Sequence, residues 1–273
     1  MEKRKKTRLD VLLVDRGLAE TREKAKRAVM AGLVYSGTER LDKAGDKVFD
    51  DIPLDVKGQV LPYVGRGGLK LEKALDVFPL DVSGKIGLDI GSSTGGFTDC
   101  ALQNGAQQMY AVDVGYNQLA WKLRSDDRVV VMERMNFRHA TADQFKDAPD
   151  FATIDVSFIS LRLMLPPLKQ ILKPDGVVMA LVKPQFEAGK ADVGKKGIVR
   201  DRAVHERVVD DMVRYFASEG FHVEGLDYSP ITGGDGNIEF LLFARLTDVG
   251  GIDPTIDVPA VIDAAHAQLK KNV

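Results

Sequence analysis

The alternation of apolar and polar positions changes character along this chain. Up to about residue 60 the apolar groups are short and widely spaced. Leu9, Leu12, Leu13 and Leu18 mark one face of a brief helix closed by Gly17. Thr21 is placed to cap a second helix over 22–31, ended by Gly32. Ala25, Ala28 and Val29 face inward on it, and Arg22, Lys24, Lys26 and Arg27 face outward. Short strands are expected around 33–35 and 47–49, with polar turns between. The stretch 61–67 reads as a linker, and a helix with Leu71, Leu75 and Phe78 on one face follows. From residue 86 continuous apolar runs at 86–90, 109–114, 129–132, 151–157 and 177–184 read as buried strands. They alternate with helices over 161–172 and 201–216. A closing strand pair at 221–226 and 239–246 and a short docking helix at 258–269 end the pattern. This alternation predicts an α/β, doubly wound, mostly parallel sheet behind a small α+β domain, divided as 1–60, 61–67 and 68–273.

Composition adds little beyond class. The 273 residues are 44% hydrophobic and 29% charged, as in ordinary globular proteins. One cysteine, Cys100, excludes an internal disulfide and a cysteine-rich zinc site, and no metal centre is expected. The basic start is not followed by an apolar signal core, and no run reaches membrane-spanning length. A reducing cytoplasm is the expected compartment. Charge is more informative, because residues 1–75 hold 17 Lys and Arg against 12 Asp and Glu. That is a basic module on an otherwise acidic chain, the pattern of a polyanion binder. A solvated charged surface would give the same count, so charge alone does not decide.

The stretch Ile86-Gly87-Leu88-Asp89-Ile90-Gly91-Ser92-Ser93-Thr94-Gly95-Gly96-Phe97 carries the clearest chemistry. A buried strand breaks into small residues and becomes a helix, which lets a ligand approach the backbone closely. Without Gly-Lys-Ser/Thr it is no P-loop, and its glycine spacing is not the dinucleotide fingerprint. The next strand ends in Asp113, well placed to accept from two ribose hydroxyls. Asp89, the loop from Gly91 to Phe97, and Asp113 together resemble the S-adenosylmethionine site of Rossmann-like methyltransferases. Asn136, after the third strand, is expected at the adenine edge.

Two further resemblances complete the reading. Arg8-Leu9-Asp10 and the run from Thr21 to Val34 are similar to the S4-like (α-L) RNA-binding domain. That resemblance implies RNA contacts, mostly to phosphates, by Arg8, Arg22, Lys24, Lys26 and Arg27, with Arg66 added from the linker. Lys70, Asp155, Lys183 and Glu239 fall around one edge of the predicted sheet. Their order resembles the K-D-K-E tetrad of FtsJ-type ribose 2′-O-methyltransferases. With Gly-Gly-Leu-Lys, Ile-Asp-Val-Ser-Phe-Ile-Ser and Val-Lys-Pro-Gln-Phe-Glu, the whole chain resembles the TlyA (hemolysin A) family. The resemblance implies a seven-stranded, Rossmann-like S-adenosylmethionine-dependent methyltransferase acting on cytidine 2′-hydroxyls of ribosomal RNA. Phe97 and Asn136 stand where the FtsJ pattern often has tryptophan and aspartate.

The chemistry suits this assignment. A ribose hydroxyl is a weak nucleophile and must be aligned and relieved of its proton. Lys183 either removes that proton or stays charged and steers the hydroxyl, and the sequence leaves both open. The partners implied are ribosomal RNA or ribosomal subunits, without a membrane or an obligate protein partner. A non-catalytic ribosome factor and a membrane-active haemolysin are the competing readings. The glycine- and lysine-rich stretch 185–198 is expected to be a mobile lid over the active face.

Overall fold

The computed structural model describes residues 5–58 and 61–269. The expected domain edge at residue 60 and the basic Lys3 lie outside them. The chain divides into two compact units, Met1–Pro62 and Tyr63–Val273.

The first unit holds β1 (Lys6–Arg8), α1 (Leu9–Asp15), α2 (Arg22–Met30), β2 (Val34–Ser36), β3 (Glu39–Arg40), β4 (Lys47–Phe49) and β5 (Asp55–Val56). Strand β1 pairs with β4, and β2 lies between β3 and β5. The Thr21 hydroxyl accepts from the Lys24 amide and starts α2, and Gly32, at φ 69°, follows its end. Leu9, Leu13, Ala25, Ala28, Val29 and Val34 form its core.

In the second unit come α3 (Gly68–Val77), β6 (Ile86–Ile90), α4 (Gly96–Gln103), β7 (Gln108–Val112), α5 (Trp121–Arg124), β8 (Val129–Met132), β9 (Phe151–Ile154), α6 (Leu165–Ile171) and β10 (Val177–Val182). They are followed by α7 (Pro184–Glu187), α8 (Arg202–Ser218), β11 (Phe221–Tyr228), β12 (Phe240–Leu246), β13 (Gly251–Ile252) and α9 (Val258–Leu269). One eight-stranded sheet runs β13-β11-β12-β10-β9-β6-β7-β8. From β10 to β8 all neighbours are parallel, and β12 is antiparallel to both β10 and β11. The eighth strand is the two-residue β13, too short to show as an apolar run.

Strand β10 explains the layering. Val177, Met179 and Leu181 pack in the cluster with Leu71 and Ala74 of α3 and with Cys100 and Leu102 of α4. Val178, Ala180 and Val182 pack in the other, with α6, α8 and α9. Both faces of the strand are covered, so its sequence is apolar throughout rather than alternating. The expected linker belongs in part to this unit: Tyr63 is buried, its hydroxyl donates to Glu72, and the Val64 amide donates to Asp99. Those contacts need a folded partner surface, which a local run rich in Gly and Pro does not reveal.

Candidate active site

After β6 the chain turns outward to β7 and β8, whereas β9 lies on the other side of β6. Ligands in open α/β sheets collect at such a reversal, outside the strand carboxyl ends. Gly91 follows β6 there at φ 85°, and a Cβ on it would lie 2.4 Å from the Asp155 carbonyl oxygen. Only glycine lets the two strand ends approach this closely. Gly95 and Gly96 serve packing: side chains at these positions would strike Leu123 and the Gly68 backbone. That close approach holds the first turn of α3, and with it Lys70, against α4.

Two neighbouring clefts open at this edge. The first, about 300 Å³, is walled by the four expected catalytic residues together with Arg66, Asp89, Ser92, Gly96, Phe97 and the turn at Gly233 and Gly234. Lys70 Nζ lies 2.7 Å from Glu239 Oε2 and 3.5 Å from Asp155 Oδ2. Lys183 Nζ lies 2.5 Å from Asp155 Oδ1 and donates to Ser157 Oγ at 3.0 Å. Asp155 is thus shared by two lysines, and both lysines and Glu239 are buried. Burial pulls the Lys70 pKa down, but Asp155 and Glu239 outweigh it and hold the amine above its ordinary value. Antiparallel β12 is what brings Glu239, 169 residues away in sequence, to Lys70.

The second cleft, about 330 Å³, has apolar walls that include Val114, Met135, Ile159 and Met164, with Asp113, Gln118 and Asn136 among its polar groups. Gly91, Ser93, Asp155, Ser157 and Phe158 border both clefts. Asp113 accepts from the Ser93 amide at 2.8 Å and the Gly115 amide at 2.7 Å. Each of its oxygens keeps a lone pair for a ligand. Asn136 Oδ1 accepts from the Arg138 amide, which leaves Nδ2 as its available donor.

Known proteins place this arrangement. The FtsJ-like methyltransferase model matches residues 63–246, and the S4 domain model matches residues 7–48. The chain belongs to the FtsJ-like methyltransferase family, in its TlyA branch. It is 66% identical to Bacillus subtilis YqxC, provisionally named an rRNA methyltransferase, over 98% of this chain and 96% of that one. It is 39% identical to the Mycobacterium tuberculosis 16S/23S rRNA (cytidine-2′-O)-methyltransferase TlyA, over 98% of each chain. A Streptococcus thermophilus structure provisionally named a hemolysin superposes with a TM-score of 0.78 at 55% identity, covering 99% of both chains. Among the described residues no helix is long and apolar enough to cross a membrane.

Within this FtsJ-like unit some expected contacts change character. Thr94 and Gly95 border neither cleft: the Thr94 carbonyl accepts from Ala120, and Gly95 makes room for Leu119 and Leu123. In the structure they shape the loop. Asp89 reaches the first cleft but is fully buried, accepting from the Thr98 amide and hydroxyl and from Thr153. Phe97 packs in the core beside α3 while reaching the same cleft.

In the S4 unit, α2 does expose Arg22, Lys24 and Arg27, with Lys26 half-buried. Arg8 and Arg22 have a second task. Both donate to Asp10, which is wholly buried and whose carboxyl these bonds hold well below the usual carboxylate range, the Arg8 bond first. Lys24 pairs with exposed Glu20, a contact worth little in water.

Three groups escaped the sequence reading. Ser157 lies two positions after Asp155 within the expected strand 151–157, whose period of two would set both on one side. Phe158, 92% exposed at φ 63°, sits at the mouth of both clefts with its ring 5.0 Å from that of Phe186. The third is a pair of clamps on the expected lid. Glu187 accepts from the Ser160 hydroxyl and the Leu161 amide, and Asn237 bonds Gly197 and Val199. The stretch is pinned near both ends rather than open along its length.

Proposed function

We propose that this protein transfers a methyl group from S-adenosylmethionine to the ribose 2′-hydroxyl of cytidine in ribosomal RNA. The observation that carries this reading is the continuous Glu239–Lys70–Asp155–Lys183 network beside a second cleft with a ribose-type carboxylate. The second cleft suits the cofactor: its apolar walls match a flat purine, Asp113 a ribose diol, and Asn136 a ring nitrogen. Asp89, Ser92, Gly96 and Phe97 support the opposite side of the Gly91–Ser93 corner. When bound, S-adenosylmethionine supplies an electrophilic methyl group on a sulfonium.

The chain's own residues do the rest. Lys70, held protonated, fixes Asp155 and Glu239 and balances their charge. Lys183 points its remaining bonding capacity at the acceptor hydroxyl, since Asp155 and Ser157 occupy its other contacts. The Lys183 ammonium, held by Asp155 Oδ1 and Ser157 Oγ, turns its third N–H to the acceptor oxygen and steadies the negative charge that develops there as the hydroxyl proton is lost to water. Buried walls on Lys70 and Glu239 keep these charges from being diluted by water.

RNA is held by Lys24, Lys26 and Arg27, with Arg8, Arg22 and Arg66 adding charge. The unit from Tyr63 onward carries 24 Lys and Arg against 29 Asp and Glu, so it does not attract polyanions by net charge. The test is incubation of ribosomal subunits with methyl-labelled cofactor, followed by nucleoside digestion and mass spectrometry. Label in 2′-O-methylcytidine is expected. Label on a base, or none in either subunit, overturns the reading.

A further inference from the structure

Lys183 is paired with Asp155, but its amine has a second fixed neighbour. Ser157 Oγ accepts from Nζ at 3.0 Å, and Ser157 is among the few residues that border both clefts. An ammonium has three hydrogens at tetrahedral angles. With one on Asp155 Oδ1 and one on Ser157 Oγ, the direction of the third is determined. A single partner would leave the amine free to rotate about that bond.

The position of Ser157 is itself held from the Lys183 side. Glu187, four residues after Lys183, accepts from Ser160 Oγ at 2.6 Å and from the Leu161 amide at 2.7 Å. The turn between Ser157 and Ser160 also contains Phe158 at φ 63°, a backbone region costly for an aromatic residue. The clasp keeps this strained turn in place, so the ends of β9 and β10 move as one piece.

We infer that Ser157 is a positioning residue that aims the Lys183 amine at the acceptor hydroxyl, with Glu187 fixing the turn that carries it. The inference rests on the methyl-transfer reading of the site. A hydrogen bond that fixes direction without touching substrate governs how often the amine is aligned, not how tightly either substrate binds.

The decisive variants are Ser157→Ala and Ser157→Thr in the full chain, with ribosomal subunits as substrate. Ser157→Ala should lower kcat by roughly tenfold, while KM for RNA and cofactor affinity by calorimetry stay within about twofold. Ser157→Thr keeps the hydroxyl and should recover most of the rate. A second readout needs no activity: trace acetylation of the folded protein with acetic anhydride at one fixed pH, with the Lys183 peptide quantified by mass spectrometry. Without the Ser157 contact the Lys183 amine is held by one partner fewer, and its labelling in Ser157→Ala should be faster than in wild type. Failure of wild-type protein to methylate RNA, with the faster labelling present, would remove the methyl-transfer reading and leave the Ser157–Lys183 coupling standing. Unchanged kcat, or a Ser157→Thr variant as slow as Ser157→Ala, overturns the inference, as does a labelling rate that does not change.

Discussion

Asp89 offers a stability prediction whose sign and size follow from its surroundings. Its carboxylate is wholly buried, with Thr98 and Thr153 as hydrogen-bond donors, and burial pushes its pKa up to about 6 from 3.8. A carboxyl raised in the folded state binds its proton more tightly there than in the unfolded chain. The stability it contributes is complete below pH 3.8 and is lost as pH rises through about 6. Two pKa units correspond to about 3 kcal/mol at neutral pH. Asp89→Asn removes the ionisation and keeps the bonds, since Oδ1 still accepts from Thr98 and Nδ2 donates to the Thr153 hydroxyl. Urea unfolding of both proteins at pH 4.5 and pH 8 checks this. The stability of the variant relative to wild type should increase by about 2 kcal/mol between these pH values, the rest of the effect lying below pH 4.5. Any constant loss from imperfect amide geometry cancels in that difference. Parallel stability curves for the two proteins would refute the burial argument.

Lys183→Ala should lower methyl transfer by at least about a thousandfold and leave cofactor affinity within a few-fold; calorimetry beside a rate assay separates the two effects. Asp113→Ala should weaken the cofactor by about 2–4 kcal/mol, part of it from the Ser93 and Gly115 amides that lose their acceptor, and an unchanged dissociation constant removes Asp113 from the site. Lys24, Lys26 and Arg27 changed together to Ala should reduce the log–log salt slope of RNA binding by up to about 3, equally for cognate and unrelated structured RNA. Arg22 is left out because its loss would strip a partner from buried Asp10 and unsettle the fold. A salt slope equal to wild type would mean that α2 does not grip phosphates.

The strands and the glycine corner were legible because burial on both sheet faces leaves uninterrupted apolar runs, as at 177–182, and because a strand-to-helix turn demands small residues. The order Lys70, Asp155, Lys183, Glu239 was legible through strand ends, since parallel strands deliver their last residues to one edge. What sequence could not show was which groups touch. Thr94 and Gly95 lie within the loop, yet their neighbours Ala120, Leu119 and Leu123 come from a segment with no visible tie to it. Arg8 and Arg22 look like free cations until Asp10 folds between them. Tyr63 and Val64 look like linker because their partners, Glu72 and Asp99, become neighbours only through the packing of α3 and α4.

Strand β12 has a consequence for how the protein comes off the ribosome. It lies between β10 and β11 although it follows both in the chain. Until residues 240–246 are synthesised, β10 has a bare edge and β11 has no place in the sheet. Glu239 is missing for the same interval, so Lys70 and Lys183 share the single counter-charge of Asp155. The nascent chain therefore carries two lysines against one carboxylate where the finished site sets two against two. Completion of the sheet and maturation of the site are one late event, and truncated products made by stalled translation should be inert and prone to pair through β10.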